Sequence, residues 1–149
     1  MSERRIPFLK MNGLGNDFVV WDAREAPVRL DRQAIRRIGA RDGGIGFDQM
    51  ITVERSTGGA DAFMRIHNRD GGEVDACGNA TRCIGRLLME ESGNAAATIE
   101  TNAGLLKASA TGDARRVTVD MGRPRFAWNE IPLAEEFHDT RAIELQIGP

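Results

Sequence analysis

Two cysteines, Cys77 and Cys83, are the only thiols in the chain, and only Cys77 stands where a sulfur could do chemistry. From Ala80 onward apolar residues recur at Ala80, Cys83, Ile84, Leu87 and Leu88. That is the spacing of a helix with one face in a core. Upstream, Gly71 and Gly72 break the chain, and Glu73-Val74-Asp75-Ala76 reads as a short extended piece. Cys77 is therefore expected where an extended segment turns into a helix, with Gly78 and Asn79 in the first turn. A helix start carries unpaired backbone N–H groups and about half a positive charge. Both favour a thiolate over a thiol, and both favour a carboxylate docked beside it. Cys83 lies inside the apolar stripe, where a free cysteine behaves as a small hydrophobe. The C-x5-C spacing puts the two side chains on different faces of the helix. It matches neither a C-x-x-C redox pair nor half of a zinc site.

The elements that must hold this helix start follow from the pattern on either side. Ile6–Met11 and Phe18–Trp21 read as short strands rich in branched and aromatic residues. Between them, Asn12-Gly13-Leu14-Gly15-Asn16-Asp17 is read as a polar glycine loop, either a self-bonded turn or a binding loop. Asp31 is a plausible N-cap for a helix to about Ala40, with Leu30, Ala34, Ile35 and Ile38 inward and Arg32, Arg36 and Arg37 in solvent. Arg41–Gln49 is a second glycine-rich loop and enters a strand at Met50–Glu54. Neither loop has the full glycine fingerprint of a dinucleotide site or the Gly-Lys-Ser/Thr ending of a phosphate loop.

Ala60–His67 returns as a strand in which Ala62, Met64 and Ile66 alternate with Phe63, Arg65 and His67. His67 is read as a strand-end side chain, and His138 as a surface residue. Asn68-Arg69-Asp70-Gly71-Gly72 forms a third polar loop directly before the cysteine stretch. After the helix, Glu91-Ser92-Gly93-Asn94 closes it at a glycine. Thr98–Thr101 and Leu105–Ser109 form a hairpin, and Arg116–Met121 adds a strand. The pattern predicts an α+β fold with a mostly antiparallel or mixed sheet around a helix that begins near Cys77. From Gly122 the period is lost. Ile143–Ile147 reads as a last strand that runs into Gly148-Pro149, so the chain reads as cut short. Residues 1–125 are read as one lobe and 126–149 as a connecting segment with that terminal strand.

Composition sets outer bounds. With 149 residues, 20 basic and 22 acidic groups and 41% hydrophobic residues, the chain has the make-up of one globular domain. No basic run is interleaved with aromatics, which argues against nucleic acid as a partner. No apolar run suits a membrane span or signal, and two cysteines on one helix cannot build a disulfide framework. A reducing cytoplasm is therefore the expected location.

Three segments, Lys10–Phe18, Gly44–Gln49 and Ala76–Cys83, together resemble the diaminopimelate epimerase family in order and spacing. The likeness spans nearly all of the chain but only the first of that family's two similar halves. Two positions depart from the family pattern: Asn12 where His is common, and Ala80 where Gly is common. The resemblance implies two pseudo-symmetric lobes, each a sheet around a central helix, with substrate in the cleft between them. It implies interconversion of LL- and meso-diaminopimelate, on the route to lysine and peptidoglycan precursors, without pyridoxal phosphate, metal or other cofactor. By motif, Cys77 is one of two catalytic cysteines; Asn16, Gln49 and Asn68 contact substrate; Gly78 and Asn79 offer backbone N–H groups to its carboxylate. The expected partner is the small-molecule amino-acid substrate, and a homodimer is compatible with the sequence.

Inverting a carbon requires a proton to leave one face and another to arrive on the opposite face, so two acid–base groups are needed. Cys83 in the stripe cannot be the second, and the chain alone is expected to fold at least partly while lacking epimerase activity. Other readings are a cofactor-independent racemase of the same fold acting on proline-type substrates, and a non-catalytic amino-acid-binding domain. A cysteine hydrolase would need a histidine within reach of Cys77.

Overall fold

A computed structural model describes residues 5–27, 29–131 and 133–144. Strands β1 (Leu9–Gly13) and β2 (Asn16–Asp22) form a hairpin. Its turn is only Leu14-Gly15, with φ of 51° and 90°, the pair of positive angles that matches the twist of two antiparallel strands. The ladder therefore runs to the turn, pairing Asn12 with Asp17 and Gly13 with Asn16. This corrects the expected six-residue loop: its polar residues, Asn12, Asn16 and Asp17, are all strand residues.

Helix α1 (Arg32–Gly39) follows, capped as expected by Asp31, which accepts a hydrogen bond from the Ala34 amide at 2.6 Å. It crosses to β3 (Gln49–Glu54), which lies parallel to β2. Strand β4 (Ala62–Asn68) returns antiparallel to β3, and the two-residue β5 (Glu73–Val74) pairs with its end. Helix α2 (Gly78–Ser92), closed by Gly93 at φ 73°, then crosses to β6 (Ala96–Thr101), parallel to β4. Strands β7 (Gly104–Ala110) and β8 (Val117–Asp120) complete an antiparallel run. The order is β1-β2-β3-β4-β6-β7-β8, with β5 beside β4. The sheet is mixed because each helix inserts a crossover, and a crossover makes the flanking strands parallel.

Helix α2 touches both edge strands, β1 and β8, as well as β6 and β7, so the sheet curls around it. Alternation sorts the side chains. Phe18, Val20, Ile51, Val53, Ala62, Met64 and Ile66 face α2 and pack with Ala80, Cys83, Ile84 and Leu88. Val19 and Met50 face the other way and pack with Ile35 and Phe47 under α1. The alternating set on β4 is thus core as expected, as is the α2 stripe apart from Leu87, which is only half-buried, and Arg32, Arg36 and Arg37 are exposed. Ala34, expected inward, is only half-buried.

Two glycines let α2 approach closely. A Cβ on Gly85 would lie 2.3 Å from the Ala108 Cβ of β7, and one on Gly13 would lie 3.0 Å from the Asn79 carbonyl oxygen and 3.2 Å from Cys83 Sγ. Beyond Asp120 the described residues form no strand or helix. Of the expected terminal strand, Ile143 and Glu144 are not strand, and 145–147 lie outside the described residues. No described helix is long and apolar enough to cross a membrane.

Candidate functional site

Asn16, Gln49 and Asn68 are far apart in the sequence, yet as the terminal residues of β2, β3 and β4 they lie at one end of the sheet. Parallel pairing puts the starts of β2 and β3 together, and antiparallel pairing brings the end of β4 to the same place. Each residue also has the parity of a core-facing neighbour two positions along: Phe18, Ile51 and Ile66. The three amides therefore cap the apolar columns on the side where α2 lies. Gln49 and Asn68 stand directly opposite each other, and the Gln49 Nε2 donates to the Asn68 Oδ1 at 3.0 Å. Asn68 is fixed in turn by its backbone, which bonds Gly71 and Gly72 in the turn leading to β5.

Cys77 is the N-cap of α2, with extended backbone (φ −150°, ψ 112°) and no capping bond from its side chain. The first turn of α2 contains no acidic residue. The leading N–H groups of Gly78 and Asn79 thus have neither a capping side chain from Cys77 nor a carboxylate in the same turn, the setting that suits an external anion. The cap is tied down from inside the helix: the Thr81 amide donates to the Cys77 carbonyl at 2.9 Å, and the Thr81 hydroxyl donates to it at 2.8 Å. The Asn79 side chain joins helix to sheet, donating from Nδ2 to Asn16 Oδ1 at 2.7 Å and accepting from Arg82 Nη1 at 2.9 Å. Cys77, Gly78, Asn79, Asn16, Gln49 and Asn68 are all half-buried. Bonds join Asn79 to Asn16 and Gln49 to Asn68, and Cys77 and Gly78 directly precede Asn79 at the start of α2.

Cys83 is different. It is 6% exposed and part of the core. Burial, and then the nearby Cys77, push its thiol above the ordinary value of 9.0. His67 points to the face opposite α2 with Arg65 and Glu73, and burial depresses its basicity first of all. Its Nδ1 is buried without a partner. A histidine on that face cannot serve Cys77. No cluster of potential metal ligands occurs among the described residues.

Residues that the sequence did not mark also gather here. Asp17 is bound by Lys10 Nζ at 2.8 Å and by Arg41 at 2.8 and 3.1 Å, and Arg41 also reaches Asp48 at 2.9 Å. The available signal was their position beside Asn16 and Gln49. A groove of about 420 Å³ under α1 and one of about 700 Å³ between β1 and β8 are both lined by other residues, so neither holds Cys77 or the three amides.

Residues 8–127 match the family model described as diaminopimelate epimerase. The chain is 58% identical over 139 residues to a diaminopimelate epimerase of Phenylobacterium zucineum, covering 93% of this chain and 49% of that protein. It is 54% identical to one of Acidiphilium cryptum, covering 96% and 50%. The chain thus spans about half the length of the curated relatives it matches. Among solved structures, a predicted epimerase of Pseudomonas aeruginosa superposes with a TM-score of 0.60 at 19% identity, over 83% of this chain and 45% of that one. A probable proline racemase from Agrobacterium radiobacter gives 0.58 at 20%, over 77% and 41%. At such identities these two likenesses speak for the fold alone.

Proposed function

We infer the function from the family to which this chain belongs, that of the diaminopimelate epimerases. We propose that the chain is the N-terminal catalytic lobe of a cofactor-independent epimerase that interconverts LL- and meso-diaminopimelate. Residues 1–125 form the lobe, and 126–149 lead towards a second one. The observation that carries this is a convergence of elements: the Asn79–Asn16 bond joins the start of α2, which Cys77 caps, to the end of the sheet that holds Gln49 and Asn68. That convergence supports a site for an amino acid with several polar groups.

In the proposed mechanism Cys77 serves one face of the substrate α-carbon. As thiolate it accepts the α-proton, leaving the electron pair on carbon, while an acid on the other face supplies a proton to the same carbon. In the reverse direction the roles exchange. Charge that builds towards the substrate carboxylate is met by the N–H groups of Gly78 and Asn79, oriented before the reaction. A donor of that kind is worth about 2.7–4 kcal/mol. Asn16, Gln49 and Asn68 hold the polar groups of the substrate, so that the α-carbon stays over Cys77. Cys83, buried and with its thiol made less acidic, is not the opposing acid. The second group comes from a second lobe, which would also close the open end and exclude water. The site therefore lies outside both grooves because one lobe supplies one wall.

The test is α-proton exchange with diaminopimelate in deuterated water. The 149-residue chain alone should show little or none. Joined to the second half of the Phenylobacterium zucineum relative, it should exchange and epimerise. Cys77→Ser in the joined protein should lower the rate by about 10² or more. Turnover by the chain alone, or full activity of the Cys77→Ser variant, would overturn the proposal.

A further inference from the structure

We propose that Asp17 and Asp48 form a positioning pair that fixes the side-chain amides of Asn16 and Gln49 relative to each other. The proposal deepens the epimerase reading and rests on it for the role of those amides. Asp17 directly follows Asn16, and Asp48 directly precedes Gln49, so the pair adjoins both amides along the chain. The regular parallel pairing of β2 with β3 begins at Phe18 and Gln49. One residue earlier, where the ladder ends, the two aspartates exchange bonds. The Asp17 amide donates to Asp48 Oδ2 at 3.1 Å, and the Asp48 amide donates to Asp17 Oδ1 at 3.0 Å. The Asp48 amide also reaches the Asp17 carbonyl at 2.9 Å. Asp48 Oδ2 further accepts from Asn16 Nδ2 at 3.4 Å.

Two carboxylates this close repel each other unless cations lie between them. Arg41 Nη2 bridges both, at 2.8 Å to Asp17 and 2.9 Å to Asp48. Lys10 Nζ binds Asp17 at 2.8 Å, and its other bond, to the Gly46 carbonyl, anchors the loop that delivers Asp48. The lysine and arginine side chains are 41% and 49% exposed, so ion pairing here contributes little to global stability. The reciprocal bonds serve geometry instead. They hold the starts of two strands in register at the point where two amides, on strands separated by a helix, must present a fixed spacing. An error of about 1 Å in such spacing can cost about 10² in rate.

The experiment compares the ¹⁵N-labelled chain with its Asp17→Ala and Asp48→Ala variants by side-chain amide relaxation. The Asn16 and Gln49 amides should be ordered in the parent, and the order parameter of the Asn16 amide should fall below about 0.6 in the variants. Backbone amides of Ile51 and Ile66 should stay protected. Asp48→Asn, which keeps an acceptor oxygen, should restore part of the lost order. If the alanine variants lose core protection, Asp17→Asn and Asp48→Asn are read in their place, and each should lower the order of the Asn16 amide by less than an alanine would. In the joined two-lobe protein, Asp48→Ala should raise KM for diaminopimelate about tenfold or more while kcat falls less. Folded variants whose Asn16 and Gln49 amides keep parental order would overturn the pair. Loss of order together with a joined protein that never exchanges the α-proton would support the pair and overturn the epimerase reading alone.

Discussion

Gly85→Ala is the sharpest test of how α2 is seated, because helix propensity and packing push in opposite directions. In a solvent-exposed helix, alanine is favoured over glycine by about 0.8–1.0 kcal/mol. Here the new methyl would sit 2.3 Å from the Ala108 Cβ, with the Ile99 side chain at 3.8 Å. Carbon atoms are comfortable at about 3.5–4.0 Å, so helix and strand must separate by more than an ångström. The obstructing atom is the first carbon of a strand side chain and cannot swing away. Overpacking of a core costs about 1–3 kcal/mol, and a contact this short belongs at the upper end. Subtracting the propensity gain leaves a net loss of about 2 kcal/mol. For a chain of this size that lowers Tm by about 4–8 °C. Thermal melts by circular dichroism would measure it, with urea denaturation giving the free energy.

Ala108→Gly removes the opposing methyl, so the double variant should recover much of the loss, with a coupling of about 1 kcal/mol or more. Separation of α2 from β7 would also disturb the Asn79–Asn16 bond at the start of the same helix. A Gly85→Ala protein that melts at or above the parent temperature would refute the close seating of α2. Additive effects in the double variant would do the same.

Iodoacetamide near neutral pH should modify Cys77 roughly tenfold faster than Cys83 or more, because Cys83 is buried and its thiol is made less acidic; peptide mapping by mass spectrometry reads the two rates, and equal rates would count against the helix-end placement. Stability should fall as pH drops below about 4. Arg41, and then Lys10, hold the Asp17 carboxyl well below its ordinary 3.8, so its contribution is full above that value and is lost as the folded group is protonated. Because its partners are exposed, Asp17→Asn should remove only a small part of this acid limb in urea melts taken between about pH 2 and 5. Cys83 acts at the other end: its raised folded value means stability is intact below 9.0 and lost as pH rises beyond it, and Cys83→Ala should remove that slope. Asp31→Ala, which deletes the cap of α1, should cost about 1 kcal/mol in the same assay.

What the sequence determined by itself was local. The stripe from Ala80 to Leu88 placed α2, and the polar, glycine-flanked residues before it placed Cys77 at its start, because a 3.6-residue period and its interruption are written in consecutive letters. Asp31 as a cap, Gly93 as a stop and the alternation of Ala62, Met64 and Ile66 were legible for the same reason. The motifs also marked Asn16, Gln49 and Asn68 one by one. Tertiary structure decided how they meet. Parallel pairing of β2 with β3 depends on α1 crossing between them, and that pairing sets Phe18 opposite Gln49 and so brings the starts of both strands to one end of the sheet. The two-residue turn at Leu14-Gly15 drew Asn12 and Asp17 into the ladder, since two positive φ angles allow pairing up to the turn. The exchange between Asp17 and Asp48 could not be read from either loop, because each carboxylate satisfies a backbone amide 31 positions away. Periodicity along a chain reports which face a residue takes; which distant residue shares that face is fixed only when the strands pair.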